Sequence, residues 1–122
     1  MSNFNDIVDL YIASWNEADA ARRGDLIART WTEDATYVDP QMSGAGHTGI
    51  GALIDGIHGQ FPNYKFRLAG NVDGHNDRVR FTWTLGPSED DTIARGTDFC
   101  LVAPDGRLKE VTGFLDFVAL PG

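Results

Sequence analysis

The apolar positions of this chain change period near its middle. From residue 4 to 21, Phe4, Ile7, Val8, Tyr11, Trp15 and Ala18 recur at helical spacing and form one apolar stripe. Tyr11 and Trp15 stand one turn apart on it. Gly24 interrupts the pattern, and Asp25 is placed to cap a second helix that runs to about Trp31. Residues 35–39 read as a short strand stopped by Pro40. Residues 41–48 are a glycine-rich loop. A third helix is expected over about 48–60, with Ile50, Leu53, Ile54, Ile57 and Phe61 inward and Pro62-Asn63 at its end.

Beyond that point the period is two. Tyr64, Phe66 and Leu68 alternate with Lys65 and Arg67, and Val79, Phe81, Trp83 and Leu85 alternate with Arg78, Arg80, Thr82 and Thr84. Asp73-Gly74-His75-Asn76 turns the first of these strands into the second. Residues 86–91 are an acidic loop, and two more strands are expected at about 92–102 and 107–118, joined by the Pro104-Asp105-Gly106 turn. Helices first and a long antiparallel sheet afterwards predict an α+β fold. A strongly curved sheet closed by three N-terminal helices is a cone around an apolar pocket.

The 122 residues suit one domain over 1–122, and 42% hydrophobic residues suit a folded one. A formal net charge of −8 argues against nucleic acid as a partner. Arg22-Arg23 is the densest basic spot and reads as solvated. The single cysteine, Cys100, excludes an internal disulfide and reads as a small strand hydrophobe. The first residues carry no signal-peptide pattern, and no apolar run approaches the ~20 residues of a membrane span. The expected setting is cytoplasmic, away from membranes.

Two aspartates stand in apolar company. Asp39 follows Ala35-Thr36-Tyr37-Val38, and Asp98 precedes Phe99-Cys100-Leu101-Val102. A carboxyl so placed must find partners or take up a proton, and such groups are often the acids and bases of active sites. Singly, each is as well read as a strand-end or backbone-bonding polar residue, and Tyr11 as core with its hydroxyl at the rim. Together they form a set on three elements. Gly44-Ala45-Gly46-His47-Thr48-Gly49 matches a dinucleotide fingerprint literally, but antiparallel hairpins follow it where a parallel unit is required. His47, His58 and His75 have no metal-ligand spacing.

The order of Tyr11-Ile12-Ala13-Ser14-Trp15-Asn16, Ala35-Thr36-Tyr37-Val38-Asp39-Pro40, Gln60-Phe61-Pro62-Asn63, Asp98-Phe99 and Asp105-Gly106-Arg107-Leu108 resembles the nuclear transport factor 2-like superfamily. Within it, the chain resembles the SnoaL-like and ketosteroid isomerase-like branch. The resemblance implies a cone-shaped fold, a deep apolar pocket and a homodimer. It implies that Asp39 is a base, while Tyr11 and a protonated Asp98 donate to an enolate oxygen. In the isomerases a protonated aspartic acid plays that role. The stretch between Tyr11 and Asp39 is about one helical turn longer than in the isomerases, with Ala20-Ala21-Arg22-Arg23 as the addition.

The leading expectation is proton transfer alpha to the carbonyl of a small apolar or aromatic ligand, without metal or organic cofactor. Trp15, Leu53, Ile57, Phe61, Trp83 and Leu115 are the expected pocket walls. Three alternatives stay open. A SnoaL-like polyketide cyclase would use Asp116 or Asp98 in a larger pocket, and the face of Asp116 depends on whether the turn at Gly106 is bulged. An epoxide hydrolase would need Arg80 or Arg95 pointing inward. A non-catalytic binding or dimerisation module would need neither.

Overall fold

The computed structural model describes residues 4–119. The first helix, α1 (Phe4–Asn16), ends sooner than the apolar stripe predicts, and Ala18 is exposed beyond it. Asp19 is the cause. Its carboxylate accepts the Arg22 N–H at 2.9 Å and caps α2 (Ala20–Thr30). Gly24 and Asp25 both lie inside α2. Arg23 is a further correction to the sequence reading, because it is buried. Its guanidinium donates to the Glu17 and Ala18 carbonyls and to the Asp55 carboxylate, at 3.0, 3.2 and 2.7 Å. It thus ties the corner between α1 and α2 to the next helix.

Strand β1 (Trp31–Val38) leaves α2 without a loop. β2 (Ser43–Ala45) folds back on it antiparallel and leads into α3 (Gly46–Gln60). The glycines here serve close packing. A Cβ on Gly44 would stand 2.9 Å from Leu53 Cδ1 and 3.1 Å from the Gly49 carbonyl oxygen. Four longer strands follow: β3 (Lys65–His75), β4 (Arg78–Gly86), β5 (Ala94–Val102) and β6 (Leu108–Val118).

The six strands form one open sheet in the order β2-β1-β6-β5-β4-β3. The fold is α+β, as the element order predicts, with one difference inside the sheet. β1 pairs parallel with β6, so the sheet is mixed. Period-two alternation is the same in both pairings, so it carries no information on direction. Val79, Phe81, Trp83 and Leu85 of β4 are buried on the helix-covered face, while Arg78 and Arg80 are exposed on the other. Ile50 and Ile54 of α3 pack into the same core, each fully buried. Each such side chain contributes roughly 1.5–3 kcal/mol.

Asn16 anchors the end of α1 to the start of β3. Its side chain donates to the Phe66 carbonyl and accepts the Phe66 N–H, both at 2.8 Å. His58 of α3 donates to the Trp15 carbonyl at 2.8 Å, and His47 to the Trp31 carbonyl at 2.9 Å. Both histidines therefore bond backbone groups at element ends. Among the described residues no helix is long and apolar enough to cross a membrane.

Candidate active site

Strand alternation puts Asp98 on the buried face of β5 with Ala94, Gly96 and Cys100. Only 2% of it is exposed. Two buried donors meet its carboxyl. The Tyr11 hydroxyl donates to Oδ2 at 2.6 Å, and the Trp83 indole N–H donates to Oδ1 at 3.0 Å. Gly96 makes room for that indole, since a Cβ there would lie 2.4 Å from Trp83 Cζ2. Burial pushes the Asp98 carboxyl up to about 6, against the opposing pull of the two hydrogen bonds, and the charge of Asp39 adds to the rise. Burial, and then the charge of Asp98, hold the Tyr11 phenol well above its ordinary value.

Asp39 stands just past the end of β1, half-buried. Its Oδ1 accepts the backbone N–H groups of Gln41 and Met42 at 2.8 and 2.9 Å, an Asx turn around Pro40. Its Oδ2 accepts the Tyr37 hydroxyl at 2.7 Å. Burial, then the charge of Asp98, raise the Tyr37 phenol as well. Tyr37 is a member of the site that the sequence reading takes as ordinary strand. The signal was present: Tyr37 is two residues before Asp39 and so shares its face.

Gly113 joins the two Tyr–Asp pairs. It lies opposite Asp98 in β6, and the parallel register brings it beside the end of β1. A Cβ on Gly113 would lie 2.9 Å from Asp98 Oδ1, 3.1 Å from Asp39 Cβ and 3.3 Å from the Tyr37 hydroxyl. Tyr11, Asp39 and Asp98 thus face one cavity of about 140 Å³. The extra turn at Ala20-Ala21-Arg22-Arg23, which begins α2, leaves Tyr11 within reach of Asp98.

Four of the six expected wall residues line this cavity: Trp15, Phe61, Trp83 and Leu115. Leu53 and Ile57 do not. Leu53 packs on Gly44, and both belong to the packing around the core. The inward stripe of a helix does not say which layer of the interior it meets. Tyr37 and Phe66 complete an aromatic wall, with Trp15–Tyr37, Trp15–Phe66 and Phe66–Trp83 ring centroids at 5.4, 5.6 and 5.3 Å. Asp116 is exposed on the opposite face, where its carboxylate accepts the Thr97 hydroxyl at 2.8 Å. Arg80 bonds Asp73 in solvent, and neither it nor Arg95 lines the cavity. Among the described residues, no three His, Cys, Asp or Glu gather as a metal site.

Three helices over an open six-stranded mixed sheet, with an apolar cavity between them, define an α+β cone fold like that of nuclear transport factor 2. The chain belongs to the SnoaL-like domain family, whose model matches residues 8–111. Among solved structures it is similar to a SnoaL-like family protein from Agrobacterium tumefaciens strain C58, described as a candidate isomerase. The two share 44% identity over 95% of this chain and 99% of that one, with a TM-score of 0.88. It is also similar to a candidate SnoaL-like polyketide cyclase from Jannaschia sp. CCS1, at 17% identity, covering 97% and 94% of the two chains, TM-score 0.70. A protein of unknown function like nuclear transport factor 2, from Cytophaga hutchinsonii, matches at 11% identity over 95% and 92%, TM-score 0.70. These last two show the shared fold. No functionally curated protein matches the chain.

Proposed function

We propose that the protein is an acid/base enzyme that moves a proton at carbon alpha to a carbonyl in an apolar substrate, without a cofactor. The observation that carries this reading is the meeting of two Tyr–Asp pairs around Gly113 in one aromatic cavity. Asp39, oriented by Tyr37 and two backbone N–H groups, takes the proton from the carbon. The C–H bonding pair moves toward the carbonyl, whose oxygen becomes an enolate. Asp98 in its neutral form donates its own proton to the Tyr11 oxygen. The Tyr11 O–H is then free to turn from Asp98 toward the enolate. Asp39 finally returns the proton at another carbon, so the net change is an isomerisation. Donors held in a buried site stabilise developing charge more strongly than water does. The similarity to the Agrobacterium protein, itself described as a candidate isomerase, supports the reading.

Asp39→Asn should cut turnover of a β,γ-unsaturated ketone by at least about a thousandfold and leave ketone binding within a few fold. Turnover is followed by the absorbance of the conjugated product. Unchanged turnover in that variant removes Asp39 from the mechanism. Binding without turnover in the wild type points to a non-catalytic pocket. Cyclase chemistry resting on Asp116 is less favoured, because that carboxylate is exposed on the other side of the sheet from the cavity.

We further propose that the outer sheet face pairs with a second copy of the chain. Phe114, Val38 and Phe99 are 55, 46 and 38% exposed there. Val38, Phe114 and Phe99 stand on the three adjacent strands β1, β6 and β5, so the patch is continuous across the face and can meet its own copy about a twofold axis.

A further inference from the structure

We propose that the cavity selects a one-ring ligand without negative charge, and that ligands bearing a carboxylate or a fused polycyclic skeleton are excluded. This inference rests on the catalytic reading for the cavity's role, but it concerns binding, and it is carried by three features of the lining.

The first is size. At about 140 Å³ the cavity is well below the roughly 300–1,000 Å³ of ordinary drug-sized sites. It is close to the size of an apolar cavity that takes up one benzene, about 150 Å³. A chain attached to the ring can leave through the mouth, where Gln41 and Gln60 are exposed. A second and third fused ring would exceed the volume that the cavity offers.

The second is shape. Trp15, Tyr37, Phe66 and Trp83 line the cavity with rings tilted or edge-on to one another, at interplanar angles of 53, 64 and 76°. Such walls suit a flat unsaturated ring, which finds both ring faces and ring edges to pack on.

The third is charge. The carboxyls in the lining are Asp39 and Asp98, the latter charged above about pH 6, and no Lys, Arg or His joins them among the described residues. While Asp98 is charged the donors near both carboxyls are in use, and Tyr11 turns to a ligand only when Asp98 is neutral. Tyr11 and Trp83 bond Asp98, and Tyr37 with two backbone groups bonds Asp39. An incoming carboxylate would meet like charge and find no cation. In a partly desolvated site that repulsion is worth more than a tenfold loss in affinity. A neutral carbonyl of the same shape meets no such penalty.

Two matched pairs of probes test this. Benzamide and benzoate share size and shape and differ in charge. Cyclohexenone and a four-ring steroid enone share the reactive group and differ in bulk. Binding to the full chain is read at about pH 8 from the fluorescence of Trp15 and Trp83. Benzamide should bind at least about tenfold more tightly than benzoate, and Asp39→Asn should narrow that gap. Cyclohexenone should bind at millimolar concentration, and the steroid should bind more weakly. Equal binding of benzoate, tighter binding of the steroid, or no binding of either one-ring neutral probe overturns the proposal. Failure of the catalytic reading is distinct. Binding of the one-ring probes without turnover removes the enzyme and leaves this selection standing. Turnover of the steroid that depends on Asp39 keeps the enzyme and removes the selection.

Discussion

Asp98 ionises against its surroundings, and that has a sign. Burial raises its carboxyl in the folded chain to about 6, from an ordinary 3.8. The stabilising contribution of the neutral acid is therefore fully present below about pH 4 and is lost as pH rises through about 6. Its size is about 3 kcal/mol. Asp98→Asn cannot ionise. Urea unfolding of the two proteins should show a stability gap that shifts by about 3 kcal/mol in favour of the variant between about pH 4 and 8. A gap that does not move with pH would contradict the assignment. Much of this site is legible in the chain itself. Asp39 before Pro40, Asp98 in an apolar strand and Tyr11 on a helical stripe are readable because each breaks or marks a local pattern. Tyr37 breaks none, since a tyrosine in a strand is ordinary, and its role exists only through the carboxylate two residues on.

At the scale of elements, periodicity locates helices and strands well but not their ends. The sequence points to Asp25 as the cap of α2, whereas the fold uses Asp19, where Arg23 packs against the end of α1 and against α3. The parallel pairing of β1 with β6 is invisible for a different reason: it depends on a partner more than seventy residues away. The Asn16 clamp on Phe66 is a contact of the same kind, joining α1 to β3 over fifty positions. Asn16→Ala leaves two half-buried backbone groups without partners. It should cost about 1–3 kcal/mol in thermal or urea unfolding and speed hydrogen exchange at the Phe66 amide. Unaltered exchange there would show that water replaces the clamp.

At the scale of the molecule, the helices leave one face of the sheet uncovered, with Phe114 at its centre. Wild-type protein should sediment as a dimer. Phe114→Lys should sediment as a monomer with its circular dichroism unchanged, since that side chain is more than half exposed and stands outside the buried core. A wild-type monomer at micromolar concentration would refute the pairing.

Gly113 offers a way to sort the relatives of this chain. One added carbon at that position would press on Asp98, Asp39 and Tyr37 at once. A relative with a side chain there cannot assemble both carboxyls as they stand here, whatever it keeps at the other positions. The residue with no chemistry of its own is thus the marker to read first. Where a relative carries a side chain there, its two acids are expected to stand apart and the same cone to serve another use.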